Sequence, residues 1–211
     1  MHLLQRTRIV NASFDIVIAG AGPAGWALAR ALVERGMRVA LVDPTVDSAW
    51  DHTLGLWADE VVPSLEPAIA QRWHDTHVGI GGATQSLGRG YARIDNARFY
   101  ALFRTAFVGL GGVMVRAGVR FIHRHRGGTE VALDNGETLH AWLAVDATGS
   151  GLFTPRSGAP SAWQVAVGYR LEGAHPYDPA AMRLMDFHAA GLCPASAPPS
   201  FLYAMPFDGG V

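Results

Sequence analysis

The sequence predicts an α/β fold in two parts, and three observations carry the prediction. DIVIAGAGPAGWALARALVERGMRVALVDP, Asp15 to Pro44, reads as strand, glycine turn, helix and strand. VDATGSG, Val145 to Gly151, again places glycines directly after a buried strand. After Pro160, WQVAVGYRLEG, AMRLMDFH and SFLYAMPF read as strands with no helix between them. Together they predict a Rossmann-like domain over residues 1–158, with inserted hairpin strands, and the start of a mainly antiparallel sheet domain over 159–211.

Ile16 to Ala19 is a short apolar run suited to a strand buried on both faces, and Gly20, Gly22 and Gly25 follow it. This is G-x-G-x-x-G in the context that gives it meaning. Pro23 suits a first helical turn, Ala24 to Arg35 carry the helical pattern, and Gly36 can end it. A second strand, Arg38 to Val42, runs into Asp43. The glycines permit a tight turn, close approach of a pyrophosphate to the backbone, and close packing of helix on strand. Asp43 stands where a carboxylate accepts hydrogen bonds from ribose hydroxyls. A dinucleotide site is the reading that joins these features.

Beyond Asp43 the chain turns loop-like. Asp59 and Glu60 in HTLGLWADEVV read as the first turn of a solvated helix continuing through Val61, Val62, Leu65 and Ile69. Glycines at 79, 81, 82, 88 and 90 mark a flexible connection. Asp95 is placed to cap a helix whose Phe99, Leu102, Phe103 and Ala106 share one face. Arg93, just before it, has two readings, a surface arginine or a contact at the cofactor edge. GLGGVMVRAG, Gly109 to Gly118, reads as a helix end or loop. Val119 to His123 and Thr129 to Leu133 are strand candidates, and Asn135-Gly136 signals a hairpin into a strand from Glu137 to Val145. That last strand can return the chain to the first sheet and bring Asp146 and Gly149 to the cofactor.

Composition excludes several classes. With 17 Lys plus Arg against 18 Asp plus Glu, nothing marks a nucleic-acid partner. The single cysteine, Cys193, rules out an internal disulfide and a multi-cysteine zinc site, and reads as a small buried apolar side chain. Nine histidines, including the pairs His74/His77 and His123/His125, form no recognisable ligand spacing, so no metal is expected. Neither G-x-S-x-G nor a P-loop lysine occurs. The leader MHLLQRTRIVNAS lacks the apolar run of a secretory signal, and Phe187 to Phe207 carries four prolines, so neither export nor a transmembrane helix is expected. The expected location is cytoplasmic, with peripheral membrane contact open because it needs only an apolar patch.

The glycine fingerprint plus VDATGSG resembles the FAD-binding monooxygenase-like proteins, which favours FAD over NAD in a Rossmann-like FAD/NAD(P)-binding domain. Within that group, LGLWADE (Leu54 to Glu60), WQVAVGYRLEG (Trp163 to Gly173), RLMDFH (Arg183 to His188) and FLYAMPF (Phe201 to Phe207) resemble the flavoprotein lycopene cyclases of carotenoid biosynthesis. The resemblance implies closure of the ends of lycopene, or a related linear carotenoid, into β-rings. The reaction is redox-neutral acid chemistry, with FAD held reduced and NAD(P)H as reductant. Protonation of a terminal double bond gives a carbocation, the ring closes, and proton loss sets the ring alkene. By the same resemblance Gly20, Gly22, Gly25 and Asp43 bind the cofactor, with Asp146 and Gly149 as further candidates. Asp186 is the candidate pocket carboxylate, with Asp59 and Glu60 behind it, though a hydrogen-bonded strand residue is an equal reading of Asp186.

Members of that group continue past FLYAMPF into a Phe-Leu-Glu-Glu-Thr run carrying the presumed catalytic glutamate, whereas this sequence stops at Val211. The chain therefore reads as an N-terminal portion. Two alternatives stay open: an FAD-dependent hydroxylase or reductase acting on an apolar substrate, and a non-catalytic flavin-binding remnant.

Overall fold

The computed structural model describes residues 13–149, 165–187 and 200–207. The leader to Ala12, Gly151, Trp163, His188 and Cys193 lie outside the described residues. Two compact units divide the chain, Met1–Trp50 with Tyr100–Ser161, and Asp51–Phe99 with Ala162–Val211. A contiguous split at residue 158 assigns residues 51–99 to the first unit, but they fall in the second, where one of their strands, Asp75–Ile80, pairs with Ala181–Asp186.

In the first unit, strand β1 (Ser13–Ala19) leads into helix α1 (Pro23–Val33) and strand β2 (Val39–Val42). Ile18, Ala19 and all of β2 are almost wholly buried, as an apolar run without alternation requires. Helix α1 stops where Gly36, at φ 77°, lets the Gly36 and Met37 amides bond back to the Val33 and Leu32 carbonyls. Its buried face is Gly25, Trp26, Ala29 and Val33, the spacing of one helical stripe.

Helix α2 (Asn96–Gly109) carries the chain from the second unit into the first. Asp95 caps it as expected, accepting from the Arg98 amide at 3.0 Å. Tyr100 and Phe107 meet the Trp26 ring edge-on, with centroids 5.5 and 5.7 Å away, and the Arg30 guanidinium lies 4.9 Å from the Phe103 ring. The aromatic stripe of α2 thus faces α1.

GLGGVMVRAG is corrected by the structure, because it contains a strand, Val113–Val115, that pairs parallel with β2. Three residues are too few to show a pattern. In chain order, strands β3 to β7 belong to the second unit, and Val113–Val115 is β8. Strands β9 (Val119–His125), β10 (Gly128–Leu133) and β11 (Thr138–Asp146) follow as an antiparallel meander. Gly136, at φ 85°, makes the expected turn before β11. Strand β11 then pairs parallel with β1, giving the order β8-β2-β1-β11-β10-β9. From β1 the chain leaves toward β2 and β8 and returns on the opposite side through β11. The strand order therefore reverses between β1 and β11, a Rossmann-like switch point.

The second unit holds two sheets. Strands β3 (Gly55–Trp57), β4 (Ile69–Trp73) and β7 (Tyr91–Ile94) form one, with β7 central. The other has the order β13-β12-β5-β6, from β5 (Asp75–Ile80), β6 (Ala83–Ser86), β12 (Ala181–Asp186) and β13 (Leu202–Ala204). Only β12 and β5 run parallel in these two sheets, so the antiparallel character is as predicted.

Three local expectations are corrected. The helix through Val61 to Ile69 is replaced by 3₁₀ turns at Ala58–Glu60 and Glu66–Ala68 and by β4, because Pro63 and Pro67 cannot continue a helix. The glycine-rich connection is largely a hairpin, with Gly81 and Gly82 at φ 59° and 83° making the two-residue turn from β5 to β6. The segment 165–171 forms no strand among the described residues, and Val165, Val167 and Tyr169 are each about four-fifths exposed.

Candidate functional site

The carboxyl ends of β1, β2 and β11 meet at the switch point, and six of the predicted residues lie there: Gly20, Gly22, Gly25, Asp43, Asp146 and Gly149. The glycines of the fingerprint are required for different reasons. Gly20 sits at φ 105°, and a Cβ on it would lie 2.5 Å from the Ala147 carbonyl oxygen. The first fingerprint glycine thus packs directly on the second motif, an arrangement held by the Ala147 amide donating to the Ala19 carbonyl at 2.7 Å. At Gly25 a Cβ would lie 2.0 Å from the Gly20 carbonyl oxygen, so this glycine brings helix and loop together.

Gly22 differs. Its φ of −69° suits any residue, and a Cβ on it would meet nothing within 4 Å. No contact among the described residues requires glycine there. What glycine keeps clear is the space in front of the loop, where a side chain would otherwise stand. Among the described residues no side chain caps α1, so the amides of its first turn keep the partial positive charge of a helix start, as anion binding requires. The residues present fit a pyrophosphate.

Asp43 is already engaged. One carboxylate oxygen accepts from the Ala21 amide at 3.0 Å, and the other from the amide and hydroxyl of Thr45 at 2.7 and 2.8 Å. Three donors leave a carboxylate with acceptor capacity for ribose hydroxyls. Asp146, the acid at the end of β11, is engaged in a similar way. It turns the chain by accepting from the amide and hydroxyl of Thr148 at 3.0 and 2.7 Å, ahead of Gly149 at φ 73°.

Sequence reasoning missed Trp50. Its indole N–H donates to the Ala21 carbonyl at 3.1 Å, although it lies in a stretch that reads only as loop. Nothing in the sequence around it, SAWDH, marks a lone loop tryptophan as a partner of the glycine turn.

Arg93 and Asp186 belong to the second unit. Arg93 lies on β7, paired with Gly55 and Gln71. Asp186 is opposite Leu202 and Gly79, with Arg183 at 3.5 Å, and Arg183 also donates to the Thr84 hydroxyl at 2.8 Å. Asp186 is thus an ion-paired strand residue. Asp59 and Glu60 both bind Arg89, at 2.9 and 2.7 Å, and the Arg89 guanidinium covers the Trp57 ring at 4.3 Å. The hydrogen bonds from Arg89 hold the Asp59 carboxyl below the usual carboxylate range. No group of three or more His, Cys, Asp or Glu side chains among the described residues could hold a metal ion, and no helix among them is long and apolar enough to cross a membrane.

Comparison with known proteins adds the following. A family model described as lycopene cyclase protein matches residues 15–210. The chloroplastic neoxanthin synthase of Solanum lycopersicum is 32% identical over 94% of this chain and 42% of its own length. The chloroplastic lycopene beta cyclase of Nicotiana tabacum is 30% identical, over 92% of this chain and 41% of its own. The chain therefore spans about two-fifths of the length of the curated relatives it matches. Among solved structures, a geranylgeranyl bacteriochlorophyll reductase-like protein from Thermoplasma acidophilum superposes with a TM-score of 0.64 at 17% identity, covering 94% of this chain and 55% of that one. An anhydrotetracycline hydroxylase from Streptomyces rimosus gives 0.56 at 21% identity, covering 66% and 32%. At these identities the likeness is one of fold.

Proposed function

The chain belongs to the lycopene cyclase protein family, and on that premise we propose that the protein closes the ends of lycopene, or a related linear carotenoid, into β-rings. The observation that carries the cofactor part of this reading is Gly22, a glycine that serves no internal contact among the described residues and keeps open the space in front of an uncapped helix start. The Gly20–Gly25 loop would hold the pyrophosphate of FAD, Asp43 the ribose, and the turn from Asp146 to Gly149 the neighbouring edge of the cofactor. When bound there, reduced FAD, replenished by NAD(P)H, would supply negative charge that stabilises a carbocation.

The chain's own contribution is to bind and orient. Gly20, locked against Ala147, fixes the two glycine motifs to one another, so the cofactor meets a preformed surface. Asp186 is proposed as a carboxylate of the substrate pocket. Paired with Arg183, it suits the holding of charge better than the delivery of a proton. Ring closure also demands a site that excludes water, which would quench the cation. Peripheral contact with a membrane, where so apolar a substrate dissolves, belongs to the same proposal, as does a cytoplasmic location.

The test is co-expression of the protein at its natural length in lycopene-accumulating bacteria, with pigment separated by chromatography and weighed by mass spectrometry. Cyclic carotene of unchanged mass is expected. Added oxygen or added hydrogen would instead identify a hydroxylase or a reductase.

A further inference from the structure

We propose that Trp50 is a cofactor-positioning residue: together with Asp43 it clamps Ala21 from both sides and presets the glycine loop for a pyrophosphate. The inference rests on reading that loop as an FAD site. The Ala21 amide donates to Asp43 at 3.0 Å, and the Ala21 carbonyl accepts from the Trp50 indole at 3.1 Å. Both side chains come from the end of β2 and the segment that follows it. On either side of Ala21 the backbone is held by backbone, with the Gly20 amide on the Val42 carbonyl at 2.8 Å and the Gly22 carbonyl accepting from the Trp26 amide at 3.0 Å.

The consequence lies in the peptide unit between Ala21 and Gly22. In a planar trans peptide the carbonyl and the following N–H point in opposite directions. Holding the Ala21 carbonyl toward Trp50 therefore holds the Gly22 N–H the other way. Glycine accepts both orientations of such a unit, so the loop by itself does little to prevent a flip. A flipped unit would withdraw a donor from an anion and present a carbonyl oxygen in its place. The indole N–H selects the orientation that binds.

The test uses the apoprotein at its natural length and the variant Trp50→Phe, which keeps an aromatic ring and loses the donor. FAD affinity is read from flavin fluorescence, loop mobility from hydrogen exchange at the Ala21 amide, which Asp43 holds, and overall folding from the apoprotein melt. The expected result is FAD binding weaker by about three- to tenfold, the loss of one hydrogen bond, with faster exchange at Ala21 and an unchanged melt. Unaltered FAD affinity, or unaltered exchange at Ala21, overturns the proposal. So does a variant apoprotein that melts far below wild type, because Trp50 is then a structural residue. A wild-type protein that binds no FAD overturns the reading of the loop as well, and the exchange data then show whether the clamp exists without it.

Discussion

Gly20 and Gly22 stand two residues apart and answer to different constraints. An alanine at Gly20 meets the Ala147 carbonyl and a left-handed backbone, so Gly20→Ala is expected to destabilise the apoprotein by about 1–3 kcal/mol, read from chemical denaturation. Gly22→Val adds its side chain to open space, so the apoprotein melt is expected to hold while FAD retention is lost. Wild-type flavin content in Gly22→Val would contradict the cradle. The motif was legible in the sequence because its spacing is fixed by the turn it makes. What could not be read was that Gly20 packs on Ala147, or that Trp50 reaches Ala21, since both contacts join residues far apart in the chain.

Elements with strong local signals came through and those without did not. Asp95 lies before a helical stripe of aromatics, and it caps α2. Asp95→Ala is expected to cost about 1 kcal/mol in a denaturation experiment, whereas Asp95→Asn, which keeps a capping oxygen, is expected to cost less. Asn135-Gly136 likewise lies in a turn, where Gly136 takes the positive φ that glycine accepts without strain. Strand β8 was missed since Val113–Val115 gains its identity from pairing with β2 rather than from its own pattern. The hairpin at Gly81-Gly82 was misread for a related reason: β6 is Ala-Thr-Gln-Ser, exposed throughout, and lacks the apolar alternation that announces a strand.

At the scale of the molecule, the chain order conceals the division into units. Residues 51–99 leave the first sheet after β2 and pair with strands that follow much later, through β5 and β12. No break in composition marks that excursion, so the sequence offers no boundary to read. Exposed ion pairs and hydrogen bonds tune carboxylates in both units. Arg38 holds Asp15, Arg89 holds Asp59, and the Ser86 hydroxyl foremost among several partners holds Asp75, each below the usual carboxylate range. With folded values depressed, the unfolded chain binds more protons in acid, so these groups contribute stability above about pH 4 and lose it as pH falls through the folded values. Melting temperature is expected to fall on acidification below about pH 4, and Arg89→Gln to flatten part of that fall. Asp59 is exposed and Asp15 and Asp75 are only partly buried, so the effect is small and weakens with salt.

The proposed activity is acid-type, redox-neutral ring closure, and the hydrogen balance of the product tests it most directly. The protein at its natural length would be supplied with lycopene, FAD and NAD(P)H in heavy water, and the product weighed. In the proposed reaction each ring closure would take up a deuteron from solvent and release a proton from carbon. The account predicts cyclic product heavier by one mass unit for each ring formed, with no other change in composition. A product that gains a pair of hydrogens, or an oxygen, or that cyclises without taking up deuterium, would contradict it.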